Sequence, residues 1–326
     1  MSNIIKKFKG GSLSSTNLME KDGELFVRKS VSLKENREYG FQRWYSQLKK
    51  LQRFSAMFPG MFPDVISFGV NGNEAYFDIE FFENSFNAQH YLNACKSKEK
   101  IDSFFNSLIS SIDILHNQKF ISSISSIDLY IHEEIDQRLE DCQKDQSFVD
   151  FLNNEEIVFN SKKIFSFSSS KSLYINLLKK HYKETYETFT HGNMTLENIL
   201  YIPNSGKVIF IDPYEENCID SELAEYSQLL QSSNSKYEVY NSQIAEVNGN
   251  NIDLKIENSF GLDYFNEKIL KHIRTKYNYD QYMTIRLLEI SQFIRMLPFK
   301  MSVDNSKMVF FYGLASYLLN NLHENE

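Results

Sequence analysis

The hydrophobic and polar positions of this chain change their rhythm near residue 84. Before it, apolar residues mostly alternate with polar ones, the spacing of strands with one covered face. Ile4–Phe8 is the first expected strand and Leu13–Met19 the second. Asp22-Gly23 is a tight-hairpin pair that leads into a strand over Glu24–Val31. Alternation puts Leu25, Val27, Lys29 and Val31 on one face of that strand and Arg28 on the other. The spacing then turns helical over Ser32–Phe54, where Phe41, Trp44, Tyr45, Leu48 and Leu51 form a stripe. Asp64–Val70 and Glu74–Phe82, joined at Asn71-Gly72, read as a second hairpin.

Beyond Asn84 helical spacing dominates. Lys100–Gln118 carries Ile101, Phe104, Leu108, Ile112 and Leu115 at steps of three and four. Tyr130–Cys142 and Leu173–Tyr186 read as further helices, with a small hairpin and a Ser-rich loop between them over Asn154–Ser170. A short β-rich stretch surrounds His191–Asp212, and Ser221–Gln231 is helical again. Ser235–Ser259 reads as a β excursion turning at Asn248-Gly249. Helices near 262–275, 280–298 and 305–322 complete the pattern. The expected fold is α+β with two lobes, a β-rich one over 1–84 and a mostly helical one over 85–326.

Composition narrows the function classes. Of 326 residues, 42% are hydrophobic and 14% aromatic, enough to build a core and unlike a disordered chain. The net charge of −8, with no dense Lys/Arg run, argues against nucleic acid as a partner, because phosphate contacts need clustered cations. Cys95, Cys142 and Cys218 are widely spaced, so neither a zinc site nor a disulfide framework is expected, and a reducing cytoplasm suits them. Met1–Gly10 holds lysines but no apolar run of secretory type, and no apolar run reaches membrane-spanning length.

The chemistry concentrates in His191-Gly192-Asn193-Met194-Thr195-Leu196-Glu197-Asn198, followed by Lys207-Val208-Ile209-Phe210-Ile211-Asp212-Pro213. Asn198 and Asp212 stand at opposite ends of one hairpin turning at Pro203–Gly206, so their oxygens can converge on a cation. Magnesium takes oxygen ligands and suits such a pair. Taken singly, either residue is an ordinary turn residue; with His191-Gly192 in front they form a pattern. That pattern resembles the catalytic loop and metal-binding strand of the aminoglycoside phosphotransferase and choline kinase family, most closely the branch associated with bacterial surface polysaccharides. The family has His-Gly-Asp, then Asn, then a hairpin ending in an apolar strand and Asp.

The resemblance implies a protein-kinase-like fold, ATP and Mg²⁺ as cofactors, and a small-molecule hydroxyl acceptor, a sugar by family analogy. It implies Asn198 and Asp212 as metal ligands and Lys29 as the strand lysine that contacts phosphates. Lys29 on an apolar strand face needs an anionic partner, and Glu38 is the expected one, with Glu35 the fallback. Gly10, Gly11, Ser12, Ser14 and Ser15 occupy the place of the phosphate-covering loop. Glu80 and Phe82 lie where the family has its hinge, whose backbone contacts adenine. His191 is expected to hold the loop by hydrogen bonds. Asp220, Glu222 and Glu225 are candidates for the acceptor, or a solvated helix face.

One position departs from the family. Asn193 stands where the family has the Asp that takes the acceptor proton, and an amide cannot accept that proton at neutral pH. Three readings follow: a substitution introduced to trap a complex, a natural pseudokinase that binds nucleotide, or a different base, for which Glu197 is the nearest carboxylate. The first is favoured, because the other elements of the pattern are intact.

Overall fold

The computed structural model describes residues 3–8, 14–35, 38–122, 126–184, 186–242, 246–253, 259–301 and 305–324. The mixed α+β layout is as expected, with the strands of one sheet first and helices dominating afterwards. Strands β1 (Asn3–Phe8), β2 (Ser15–Lys21) and β3 (Glu24–Ser32), helix α1 (Tyr39–Met57), and strands β4 (Val65–Asn71) and β5 (Glu74–Glu80) come first. The five strands form an antiparallel sheet in the order β1-β2-β3-β5-β4. Its tight turns fall at the expected pairs, where Asp22, Gly23 and Gly72 all take positive φ.

Helix α1 starts later than the periodicity predicts. The Leu33 amide donates to Asn73 O at 2.7 Å, which extends the β3–β5 ladder past Ser32. The Ser32 hydroxyl then accepts from the amides of Lys34 and Glu35 in a side-chain turn. The amides of residues 33–35 are therefore satisfied outside the helix. The covered face of α1 is Trp44, Leu48, Leu51 and Phe54, with Trp44 against Phe77 of β5. Tyr45, expected in that stripe, is exposed instead.

The chain divides into two compact units. The first holds Met1–Tyr91, Asn106–Leu115 and His191–Asn217, and thus both the five-stranded sheet and the motif loop. In it, Ile199–Ile202 and Lys207–Phe210 form an antiparallel hairpin extended by Phe86–Asn87. The second unit holds Leu92–Phe105, His116–Thr190 and Cys218–Glu326. Its core gathers around Phe167–His181, Tyr279–Arg295 and Asn305–Glu324, with Tyr174, Phe293, Phe311 and Tyr312 buried.

Several helices of the second unit are set by caps that the apolar pattern does not report. Ser166 accepts from the Ser169 amide, so the Ser-rich stretch expected as a loop opens the helix Phe167–His181. Ser221 and Ser259 cap Glu222–Ser233 and Phe260–Lys276 in the same way, and Asn278 with Gln281 forms a capping box. The helix expected over Tyr130–Cys142 carries a π-helical turn at His132–Asp136. The expected β excursion over Ser235–Ser259 is mixed: Tyr237–Ser242 is helical, and Glu246–Asn248 with Asn251–Asp253 makes a short hairpin. That hairpin packs inward. Ile252 is fully buried, and a Cβ on Gly313 would stand 2.3 Å from its Cδ1. Among the described residues no helix is long and apolar enough to cross a membrane.

Candidate active site

The motif loop is organised by a buried histidine. His191 is fully buried between Phe62 and Phe210, with ring centroids 6.2 and 5.9 Å away. Its Nε2 donates to Ile211 O at 2.7 Å, and its Nδ1 accepts from the Asn193 amide at 3.2 Å. One donor and one acceptor on the ring describe a neutral imidazole with the proton on Nε2. The expected structural role of His191 thus has a geometry: it ties the loop to the strand end before Asp212.

Gly192 has no room for a side chain. Its φ is +82°, and a Cβ there would lie 2.2 Å from Tyr214 O and 2.3 Å from Asn217 Nδ2. Gly192→Ala is expected to cost about 1–3 kcal/mol from the backbone conformation alone, with a further loss from the overlap. A urea titration of parent and variant checks this, and an unchanged midpoint would contradict the crowding.

Asn198 ends a 3₁₀ turn over Leu196–Asn198 and is buried. Its Nδ2 donates to Asn193 O at 2.9 Å and to Thr195 Oγ1 at 3.1 Å. Both amide protons are therefore engaged, which leaves the carbonyl oxygen as the ligand-capable atom. The Asn198 carbonyl of the main chain accepts from the Ile211 amide at 2.9 Å, continuing the hairpin ladder to the residue before Asp212. Asp212 itself sits at φ 55°, an unusual conformation for a residue with a Cβ.

Lys29 meets Asp212. The ammonium donates to Asp212 Oδ1 at 2.9 Å across 183 positions of sequence. Partial desolvation works to raise the Asp212 carboxyl, but the charge and hydrogen bond of Lys29, joined by other nearby groups including Arg43, hold it below the usual value. Lys29 is opposite Phe77 and Arg28 opposite Asp78, so the two cations leave the sheet on different faces, as alternation predicts. Arg28 makes a bidentate pair with Asp78 at 2.7 and 2.8 Å and lies over the Tyr76 ring at 4.1 Å.

The expected Lys29–Glu38 pair is not formed. Glu38 is exposed and precedes the first helical residue, so the delayed start of α1 leaves it outside the helix. Among the described residues the fallback, Glu35, is exposed as well and makes no ion pair.

The remaining predicted residues are placed unevenly. Gly10, Gly11 and Ser12 lie outside the described residues, and Ser14 leads into β2. The Ser15 hydroxyl is 2.8 Å from that of Ser30 across the β2–β3 ladder. Glu80 ends β5 exposed, its amide donating to Asp64 O at 3.1 Å, while Phe82 is buried and its carbonyl accepts from Ser85 Oγ. In the second unit, Asp220 accepts from Thr190 Oγ1. Glu222 accepts from Tyr277 Oη at 2.7 Å and pairs with Lys119 and Lys276. Glu225 is buried with His116 Nε2 at 3.7 Å. Neither glutamate belongs to a solvated helix face.

Sequence reasoning missed one set of residues. Gln47, Lys50 and Arg53 of α1 all reach the segment after Asp212: Gln47 Nε2 donates to Pro213 O at 3.1 Å, Lys50 Nζ to Tyr214 O, and Arg53 to the Glu215 carboxylate at 3.0 Å. The available signal was a lysine at position 50, between Leu48 and Leu51 of the apolar stripe.

Asp212 offers a carboxylate and Asn198 an amide oxygen, the kinds of donor that magnesium takes. Among the described residues no group of three His, Cys, Asp or Glu side chains converges, so an all-protein metal cage is not formed. One carboxylate and one amide oxygen, completed by phosphate oxygens and water, is the way magnesium is commonly held. A solved structure described as the crystal structure of aminoglycoside-3'-phosphotransferase of type VIII is similar to this chain. It is 13% identical, and the match covers 89% of this chain and 92% of that one with a TM-score of 0.46. No family model and no curated protein matches the chain.

Proposed function

We propose that this protein is an ATP-dependent phosphotransferase of the kinase type, moving the γ-phosphate to a hydroxyl of a small molecule. The observation that carries the reading is the Lys29–Asp212 contact at 2.9 Å, beside a loop in which the amide protons of Asn198 are already engaged. A half-buried lysine, a carboxylate and an amide oxygen assembled from distant parts of the chain match what phosphoryl transfer requires, charge neutralisation and positioning. The resemblance of the His191–Asp212 motif to aminoglycoside phosphotransferases and choline kinases supports the same reading.

In this proposal Lys29 binds phosphate oxygens of ATP, and Asp212 and Asn198 hold Mg²⁺. The metal, when bound, offsets charge on the phosphate oxygens. His191 fixes the loop, and Asn193 orients the acceptor hydroxyl without taking its proton. Residues 1–84 are the proposed nucleotide-covering part, with Glu80 and Phe82 at the hinge; 85–326 carries the acceptor site and the loop, although the loop itself falls in the same compact unit as the sheet. A sugar or surface-polysaccharide precursor is the proposed acceptor, and the cytoplasm the proposed location. A nucleotide-binding pseudokinase is the second reading, and Asn193 is the observation that favours it.

Titration calorimetry with Mg·ATP tests the nucleotide assignment. Lys29→Ala is expected to weaken binding about tenfold or more, the scale of one charge-assisted contact, whereas Arg28→Ala loses stability through Asp78 but little affinity. Equal affinity losses in the two variants would place the nucleotide on the wrong face of the sheet.

A further inference from the structure

Helix α1 is built as a clamp on the segment that follows Asp212, and its central contact is a buried charge. The Lys50 side chain is only 2% exposed. Its ammonium donates to Tyr214 O, pairs with Glu215 at 3.2 Å and stands 5.2 Å from the Phe54 ring centroid. A buried ammonium is costly unless it has partners, so its place is set by what it holds. What it holds is a junction. The Tyr214 amide donates to His191 O at 2.9 Å while the Tyr214 carbonyl accepts from Lys50 and stands against Gly192. The same helix, from another of its faces, reaches the other half of the site, where Trp44 Nε1 donates to Lys29 O at 3.3 Å. One rigid helix thus touches the main chain of the Lys29 strand and of the Asp212 loop.

Resting on the phosphotransferase reading, we infer that Lys50 is a positioning residue for the metal-binding carboxylate. It touches neither nucleotide nor acceptor. It fixes the Pro213–Glu215 main chain, and with it the left-handed Asp212, at a set distance from Lys29. A neutral residue of the same length removes the Lys50 hydrogen bond and ion pair from Tyr214 O and Glu215, and so loosens the hold on the segment that carries Asp212. Residues that orient metal ligands from behind typically govern about 10- to 100-fold in metal affinity.

The test compares the parent chain with Lys50→Met, Lys50→Arg and Glu215→Gln. Two quantities are read by calorimetry, affinity for ATP without metal and affinity for ATP at saturating Mg²⁺. Amide exchange across residues 212–216 is followed in the ligand-free chains. For Lys50→Met the expected result is a loss of Mg·ATP affinity of about tenfold or more, with metal-free ATP changed less than twofold and faster exchange over 212–216. Lys50→Arg is expected to recover part of the loss. Glu215→Gln removes only the half-buried carboxylate partner and is expected to give a smaller loss of the same kind; it carries the test if Lys50→Met does not fold. Equal losses with and without metal, or an unchanged metal dependence in a folded variant, would overturn the inference. A parent chain that ignores Mg²⁺ altogether would remove the phosphotransferase reading with it, whereas a parent that responds, alongside variants that respond equally, would remove this inference alone.

Discussion

Asn193→Asp is expected to raise phosphoryl transfer to a suitable acceptor by about 10²–10⁴-fold, the usual range for general-base help. The substitution is nearly isosteric, and the loop leaves it room to act. The Asn193 main chain is fixed from both sides: its amide donates to His191 Nδ1, and its carbonyl accepts from Asn198 Nδ2 at 2.9 Å and from the Thr195 amide at 2.8 Å. None of these bonds uses the side chain, so a carboxylate can replace the amide without moving the loop. Nucleotide affinity is expected to stay nearly the same, because position 193 is not one of the proposed metal or phosphate groups. A single-turnover assay with γ-labelled ATP and a panel of sugars and glycan fragments reads the effect. No turnover in either form, on an acceptor already shown to bind, would favour the pseudokinase. Equal turnover in both forms would point to another base, and the exposed Glu197 is the first to mutate.

Asp212→Ala is expected to abolish the magnesium-dependent part of nucleotide binding, a loss of about a hundredfold or more, since a direct ligand should matter at least as much as its supporting shell. Two consequences of the Lys29 contact make the result diagnostic. Removing Asp212 frees the ammonium, so metal-free ATP is expected to bind as well as before or better. In the parent, ATP at a hundred times its Kd adds about 2.7 kcal/mol to folding stability, which melting curves with and without Mg²⁺ resolve. The pH dependence has a definite sign. A carboxyl lowered on folding contributes stability that is complete above its unfolded pKa of about 3.9, and that is lost as pH falls through the lower folded value. Lys29 lowers Asp212 in this sense, against the opposing effect of burial. The magnesium response of the parent should therefore be flat from pH 6 to 8 as far as Asp212 is concerned. An Asp212→Ala protein that binds Mg·ATP like the parent would remove Asp212 from the metal site.

Local order was largely legible in the sequence. Asp22-Gly23, Asn71-Gly72 and Asn248-Gly249 mark turns because few other residue pairs accept positive φ, and each is a turn in the structure. Alternation along β3 separated Lys29 from Arg28 because a pleated strand has a period of two residues. The spacing from His191 to Asp212 placed both candidate ligands on one hairpin, since a hairpin of that length has a single register. Tertiary structure alone decided the rest. It gave Lys29 to Asp212 and not to Glu38, because the β3–β5 ladder captured Leu33 and delayed the helix that was to carry Glu38. It turned the serines before Phe167 into a cap, because an unpaired helix amide takes the nearest hydroxyl whatever the apolar pattern says. It also buried Lys50, a residue the stripe of α1 would assign to solvent, because the Tyr214 carbonyl and the Glu215 carboxylate, distant in sequence, offered its ammonium partners. Periodicity reports which face of an element is covered. It does not report which distant charge or main-chain group does the covering, and that pairing is what assembles the candidate site.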